Sequence, residues 1–300
     1  MITFKQFLVE GGAATKKLGT TRATRVDIDT ALTFVSHQIG IGTERLRSRL
    51  LGSTRLTALG FQDDSGDIDI AIHEGEVNRD QVVARLTKAT GNAPYVTGGN
   101  TYSFAVPVGN ARKVQVDLMF IPDIKWALFS YHADERSTSK SGVRNELLHA
   151  ALRHSMVKGE DVRMKDDAGN DVARASRAYK LDQGVERIFK IAPLRKNGNG
   201  RVKGVVNATP DEVRTVLDKA GNREIFSQDK DIIRDPDRFA RLLFGENVKG
   251  ADMMTAEQII SLIKKYKKKD ATAIFHDAIK GILRLKLKVP LELKAYTIVP

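Results

Sequence analysis

The stretch LGSTRLTALGFQDDSGDIDIAI, residues 51–72, decides how this 300-residue chain is interpreted. At its end, in residues 66–72, acidic and branched apolar residues alternate. Because side chains of a β-strand alternate with a two-residue period, Asp67 and Asp69 project from one face and the isoleucines from the other. The stretch therefore predicts a strand that presents two carboxylates together.

A third acid occurs further along the chain, in VQVDLMF at residues 114–120. This run is a mostly apolar strand interrupted by Asp117, a carboxylate whose burial is costly without a partner. Two hard divalent cations about 3.5–4 Å apart, bridged by carboxylates of neighbouring strands, can hold a triphosphate and activate a hydroxyl for in-line attack. Asp67, Asp69 and Asp117 are therefore the candidate metal ligands.

The Asp-x-Asp pair also has a simpler interpretation, because such a pair can mark the exposed end of a strand without any site. The residues before it favour the functional interpretation. Gly52 lets the backbone approach a ligand closely, and N–H groups at the start of a helix bind phosphate. Ser53 adds a hydroxyl at the same place. Residues 51–72 thus combine a potential phosphate-binding turn with a pair of carboxylates.

Three motifs together resemble the signature of the DNA polymerase beta-like nucleotidyltransferase superfamily: Gly52-Ser53-Thr54-Arg55, Ser65-Gly66-Asp67-Ile68-Asp69 and Val116-Asp117-Leu118-Met119-Phe120-Ile121-Pro122. The palm of family X DNA polymerases is the most similar part, over about residues 45–125. One difference is Gln115, at a position where that family commonly has an Arg. The resemblance implies an α+β fold whose palm is a mixed sheet flanked by helices.

The resemblance also implies an activity. The three aspartates would bind two Mg²⁺ ions, for which Mn²⁺ can substitute, and Asp117 would also accept the proton of the attacking hydroxyl. An NTP or dNTP would release pyrophosphate as its nucleoside monophosphate passes to an acceptor. Tyr131 matches an aromatic residue that lines the pocket for the nucleotide sugar in those polymerases. The alternative is that Tyr131 only packs in the hydrophobic core. The residues implied to bind the nucleotide are Gly52, Ser53, Arg55, Ser65, Gly66 and Tyr131.

The formal net charge of +12 favours a polyanionic partner, because clustered Lys and Arg gain affinity by releasing counterions from phosphates. A basic surface that only aids solubility is the alternative. The segment after Tyr131 resembles one that contacts nucleic acid in those polymerases, and a lysine cluster follows near the C-terminus. The predicted DNA or RNA contacts are Lys140, Arg144, Lys264, Lys265, Lys267 and Lys268.

A nucleic-acid 3′-hydroxyl is the expected acceptor, which would make the chain a small polymerase or terminal transferase. Two other hypotheses remain open. One is transfer to a tRNA, a protein or a small molecule, as in the toxin and antibiotic-modifying branches of the superfamily. The other is a catalytically inactive nucleic-acid-binding protein that keeps the fold. Metal-dependent turnover of NTP would exclude the inactive protein.

The chain divides into three predicted parts: an N-terminal arm with helices (1–50), a palm-like catalytic domain with following helices (51–192) and a basic, mainly helical C-terminal domain (205–300). The N-terminal helices should break near Gly40. Turn residues at 165–170 predict a hairpin, and apolar spacing in residues 181–191 predicts a short amphipathic helix. The run RKNGNGR, residues 195–201, predicts a flexible basic linker.

The amino-acid sequence also indicates the cellular compartment of the protein. The sequence contains neither an apolar run of 18 or more residues nor a secretion signal pattern. It also has no cysteine, which excludes disulfides and cysteine-rich zinc sites. The six histidines are scattered and are interpreted as structural or surface residues. A cytoplasmic protein without a membrane partner is the expectation.

Overall fold

A computed structural model describes residues 17–97, 100–109, 111–135, 137, 139–154, 163–165, 171–191, 206–207 and 232–297. The predicted linker at 195–201 and the start of the predicted C-terminal domain lie outside these ranges. Within them the chain has a mixed four-stranded sheet flanked by helices, which confirms the predicted α+β class. None of the helices in these ranges combines the length and apolarity needed to cross a bilayer.

The first elements lead from the N-terminus to the strand that contains Asp69 and directly follows Asp67, here called the carboxylate strand. In chain order they are β1 (Ala23–Thr24), α1 (Arg25–Ile39), α2 (Thr43–Arg47), α3 (Gly52–Leu59), β2 (Asp64–Ser65) and β3 (Ile68–His73). Helix α1 begins with a capping box, in which Thr24 and Asp27 satisfy each other's backbone N–H groups. It ends at Gly40, whose φ of 75° is left-handed. The predicted break near Gly40 is confirmed.

The next elements complete the sheet: α4 (Arg79–Thr90), β4 (Tyr95–Thr97), β5 (Thr101–Gly109) and β6 (Arg112–Ile121). The strand order is β3-β6-β5-β4. Strands β5 and β6 form an antiparallel hairpin, and β4 pairs antiparallel with β5. Strand β3 runs parallel to β6, so the connection between them must cross over the sheet.

One face of the sheet is covered by α1 and α4. The isoleucines of β3 lie in this interface with Leu32 of α1 and Leu86 of α4, all fully buried. Leu50, just before α3, forms an antiparallel bridge with Ile70 along the edge of β3 opposite to β6. The helices before residue 50 and the sheet after it therefore share one hydrophobic core, and the opposite face of β3 is left for the aspartates.

The remaining elements are α5 (Ile124–Ser130), α6 (Ser141–His154), β7 (Arg163–Lys165), β8 (Asp171–Lys180), β9 (Gly184–Ile191), β10 (Val206–Asn207), α7 (Pro236–Phe244), α8 (Ala256–Tyr266), α9 (Ala271–Arg284) and 3-10 turns at Gly250–Met253 and Leu291–Tyr296. A second core surrounds Trp126 of α5 and includes Phe239 of α7 and Phe275 of α9. Helices α8 and α9 both pack against α6. The described residues from 232 onward are mainly helical.

Residues 181–191 do not form the predicted amphipathic helix. Their larger part is β9, which pairs antiparallel with β8 from Gly184 to Ile191. Gly184 has a φ of 113°, which allows the chain to turn between the two strands. Pairing with β8 outweighs the local apolar spacing, because strand formation depends strongly on neighbouring strands. Strands β7 and β8 pair on either side of residues 166–170, which confirms the predicted hairpin.

Candidate metal centre

The three candidate aspartates meet at the beginning of β3. Asp69 lies directly opposite Asp117 in the parallel β3–β6 ladder, and Asp67 precedes Asp69 by one strand period. One carboxylate oxygen from each residue lies within 4.8 Å of the others. All three residues are partly buried. The register of two strands thus gathers acids that are far apart in the sequence.

These carboxylates alter one another's ionisation. Burial, and then the charges of Asp67 and Asp117, raise the pKa of Asp69 well above its usual range. Burial also raises the pKa of Asp117, and the side chains of Ser103 and Gln115 offset part of that rise. Crowded carboxylates disfavour their own ionised forms, and a bound cation reverses this effect.

Gln115 orients the third acid. Its amide nitrogen donates to both carboxylate oxygens of Asp117, at 2.9 and 3.1 Å. Gln115 is almost fully buried, so this amide is held in place by its surroundings. The two-residue period of a strand puts positions 115 and 117 on one face, so the sequence contained the signal for this contact. Ser103 lies opposite Asp117 on β5. Its place next to Asp117 depends on the register of the β5–β6 pair, which the sequence did not indicate.

Helix α3 begins beside the aspartates. Gly52 has a φ of 52°, in the left-handed region that favours glycine, and a Cβ there would lie 3.7 Å from Oδ2 of Asp69. The Gly52 N–H donates to the carbonyl of Tyr131 at 3.0 Å. The hydroxyls of Ser53 and Ser65 are 3.0 Å apart. The first turn of α3, where helix N–H groups have no intrahelical acceptor, is therefore adjacent to the carboxylates.

Thr54 joins α3 to the carboxylate strand. It is fully buried, and its hydroxyl donates to the carbonyl of Asp67 at 3.1 Å. The same oxygen accepts from the N–H of Asp69 at 3.0 Å. Nothing in the sequence marks this contact, because a threonine in a helix often bonds to its own backbone instead.

The other predicted nucleotide-binding residues lie around this turn. Arg55 is exposed on α3. A Cβ at Gly66 would lie 3.7 Å from a guanidinium nitrogen of Arg22. Tyr131 packs against the hydrophobic cluster that contains Leu51. Burial, with Asp182 and Asp69 nearby, raises the pKa of Tyr131 well above its usual range, so its phenol stays neutral.

The predicted nucleic-acid contacts are on the surface with one exception. Lys140, Lys264, Lys265 and Lys268 are exposed, and Lys267 is partly buried. Arg144 is only 2% exposed; its Nε donates to the carbonyl of Met253 at 2.7 Å and its guanidinium lies 4.4 Å from the Phe129 ring centre. The prediction for Arg144 is wrong, because its side chain is buried against α5 and the 3-10 turn at Gly250–Met253.

The carboxylate oxygens of Asp67, Asp69 and Asp117 are the ligand type that hard divalent cations prefer. Asp69 and Asp117 are paired in the β3–β6 ladder, and Asp67 directly precedes β3, where its carbonyl accepts a hydrogen bond from Thr54. Three acids within one ligand sphere also carry enough negative charge to attract a divalent ion. The arrangement therefore fits a divalent cation.

No model of a known protein family matches the chain, and no curated protein matches its sequence.

Proposed function

We propose that this chain is a metal-dependent nucleotidyltransferase of the DNA polymerase beta-like superfamily, with a palm similar to that of family X DNA polymerases. It would transfer a nucleoside monophosphate from an NTP or dNTP to an acceptor hydroxyl and release pyrophosphate. The convergence of Asp67, Asp69 and Asp117 beside the first turn of α3 carries the proposal. This reaction needs carboxylate-held cations next to groups that bind a triphosphate.

Each group at the site has a role in this reaction. Mg²⁺ or Mn²⁺ held by the three aspartates would neutralise the triphosphate and lower the pKa of the attacking hydroxyl. Gly52 keeps the space in front of Asp69 clear of a side chain. The first turn of α3 supplies N–H groups for phosphate oxygens, and Ser53 and Arg55 add a hydroxyl and a positive charge.

A nucleic-acid 3′-hydroxyl is the proposed acceptor. The chain carries a net charge of +12 despite its acidic centre. The C-terminal part of the chain has three exposed lysines close together in the sequence. They are Lys264 and Lys265 at the end of α8, and Lys268 just after it. A group of exposed lysines of this kind binds phosphate backbones without regard to sequence.

The test is label transfer by the purified chain. It is incubated with Mg²⁺ or Mn²⁺, each labelled NTP or dNTP, and one acceptor at a time: single-stranded DNA, primed duplex, tRNA or none. We expect metal-dependent label on a nucleic-acid 3′ end. Asp67→Asn and Asp69→Asn keep the side-chain size but remove a charge, and each should lower the rate by about 100-fold or more, as for other losses of charge-stabilising groups.

Asp63→Asn is the matched control, because Asp63 is an exposed acid of the same stretch outside the carboxylate cluster. It should behave as the wild type. Label confined to tRNA, or to the protein itself, would correct the acceptor but keep the reaction class. Absence of label on every acceptor, or label that persists in Asp67→Asn and Asp69→Asn, would contradict the proposal.

A further inference from the structure

We infer that Thr54 is a positioning residue of the metal centre: its hydroxyl sets where the first turn of α3 lies relative to Asp67 and Asp69. The inference rests on the proposed function, since it concerns how this chain holds a cation next to a phosphate-binding turn. Thr54 itself would touch neither metal nor nucleotide. Its two hydrogen bonds go to the backbone of the two residues that carry the first two carboxylates.

The hydrogen bonds along the edge of β3 opposite to β6 explain why a side chain is needed beside Asp67 and Asp69. Along this edge the N–H of Leu51 donates to the carbonyl of Asp69, and the N–H of Ala71 donates to the carbonyl of Arg49, both at 3.1 Å. This backbone pairing stops where the chain turns into α3 at Gly52. The next groups along the edge bond to Thr54 instead, so its hydroxyl continues the ladder beyond the last backbone pair.

The chemistry of the hydroxyl fixes these two bonds. A hydroxyl has one proton, which Thr54 donates to the Asp67 carbonyl at 3.1 Å. Its lone pair then accepts from the Asp69 N–H at 3.0 Å. Threonine is also stiff at χ1, and Thr54 is fully buried, so the hydroxyl cannot turn away. Helix α3 and the carboxylate strand are therefore held at one separation.

Thr57 provides an internal comparison. It is fully buried on the same helix and also uses its hydroxyl twice. It donates to the carbonyl of Ser53 at 3.2 Å and accepts from Nε2 of Gln62 at 2.9 Å. These bonds stay within α3 and the loop after it. Removing either hydroxyl should therefore cost similar stability, but only Thr54 holds the carboxylate strand.

The test is Mn²⁺ binding by the full chain, measured by isothermal titration calorimetry for the wild type, Thr54→Val, Thr54→Ser and Thr57→Val. Valine has the shape of threonine without its hydroxyl. We expect Thr54→Val to bind Mn²⁺ about 10-fold or more weakly, as when groups that hold metal ligands in place are removed. Thr54→Ser keeps the hydroxyl and should restore binding, and Thr57→Val should bind as the wild type does.

The outcomes separate this inference from the proposed function. Wild-type Mn²⁺ affinity in Thr54→Val, or equal losses in Thr54→Val and Thr57→Val, would overturn the positioning role and leave the metal site in place. Failure of the wild type to bind Mn²⁺ would contradict the metal site itself. Circular dichroism first establishes folding. If Thr54→Val does not fold, Thr54→Ala, which leaves room for water beside the two backbone groups, replaces it with the same expected loss.

Discussion

His149 on α6 is a titratable residue outside the candidate metal centre. Its ring lies edge-on to the ring of Tyr179, with 4.9 Å between centroids. Burial, together with the positive charges of Arg153 and Arg284, lowers the pKa of His149 to about 4. The folded protein therefore keeps this imidazole neutral at pH values where a histidine in the unfolded chain is already protonated.

We predict that acid destabilises the fold through His149. As the pH falls from about 6.5 towards about 4, the unfolded chain takes up the proton first, so the free energy of unfolding decreases. His149→Gln cannot be protonated, and between pH 7 and pH 5 it should lose less stability than the wild type, by on the order of 1 kcal/mol. Urea denaturation at both pH values measures the difference.

His37→Gln is the control for the type of substitution, because His37 is exposed on α1, and it should follow the wild type. Glu146 on the same helix as His149 acts in the opposite direction, since burial raises the pKa of its carboxyl. The pH profile of a single protein contains both effects. The effect of His149 is therefore obtained by comparing the pH dependence of His149→Gln with that of the wild type. Equal pH dependence in His149→Gln and the wild type would contradict the prediction.

At the scale of elements, the contact between α6 and α9 joins the middle of the chain to its C-terminal helices. Glu146 of α6 is 2% exposed, and Arg284 approaches its carboxylate to 4.0 Å. A Cβ on Gly281 of α9 would overlap this carboxylate. The missing side chain at Gly281 therefore allows the two helices to approach closely.

Gly281→Ala should destabilise the protein, although alanine is favoured over glycine inside a helix by about 1 kcal/mol. Overlap with the buried Glu146 carboxylate should cost about 1–3 kcal/mol, as in other overpacked cores. Thermal and urea unfolding measure the change. In the background of Glu146→Ala the same substitution should be harmless, which a double-mutant cycle would show as coupling. Absence of coupling between the two substitutions in this cycle would contradict the packing.

At the scale of the whole molecule, we predict that the exposed lysines near the C-terminus determine how salt affects the proposed binding to nucleic acid. Replacing Lys264, Lys265 and Lys268 by Gln should weaken binding to single-stranded DNA. It should also lower the slope of log affinity against log salt by about 0.7 for each phosphate that the variant no longer neutralises. Fluorescence anisotropy at several salt concentrations measures both quantities.

The control replaces three exposed basic residues of α4, Arg79, Arg85 and Lys88, by Gln. Both triple variants lower the net charge by the same amount. If the two variants lose affinity equally, overall charge accounts for binding and the C-terminal lysines are not a specific surface.

Local physical rules account for what the sequence alone determined. The break of the N-terminal helices at Gly40 and the hairpin formed by β7 and β8 follow from turn residues in the sequence. The pairing of Asp67 with Asp69 on one strand face depends on the two-residue period of a strand. These features could be predicted because each depends on residues within a few positions of one another.

Tertiary structure decided the features that join distant segments. The position of Asp117 opposite Asp69 depends on strand register, and the strand at β9 depends on its pairing with β8. Thr54 holds the carboxylate strand, and Arg144 is buried, only because other elements pack against them. Such contacts are selected by the free energy of packing and pairing across the whole fold, which no local pattern of residues contains.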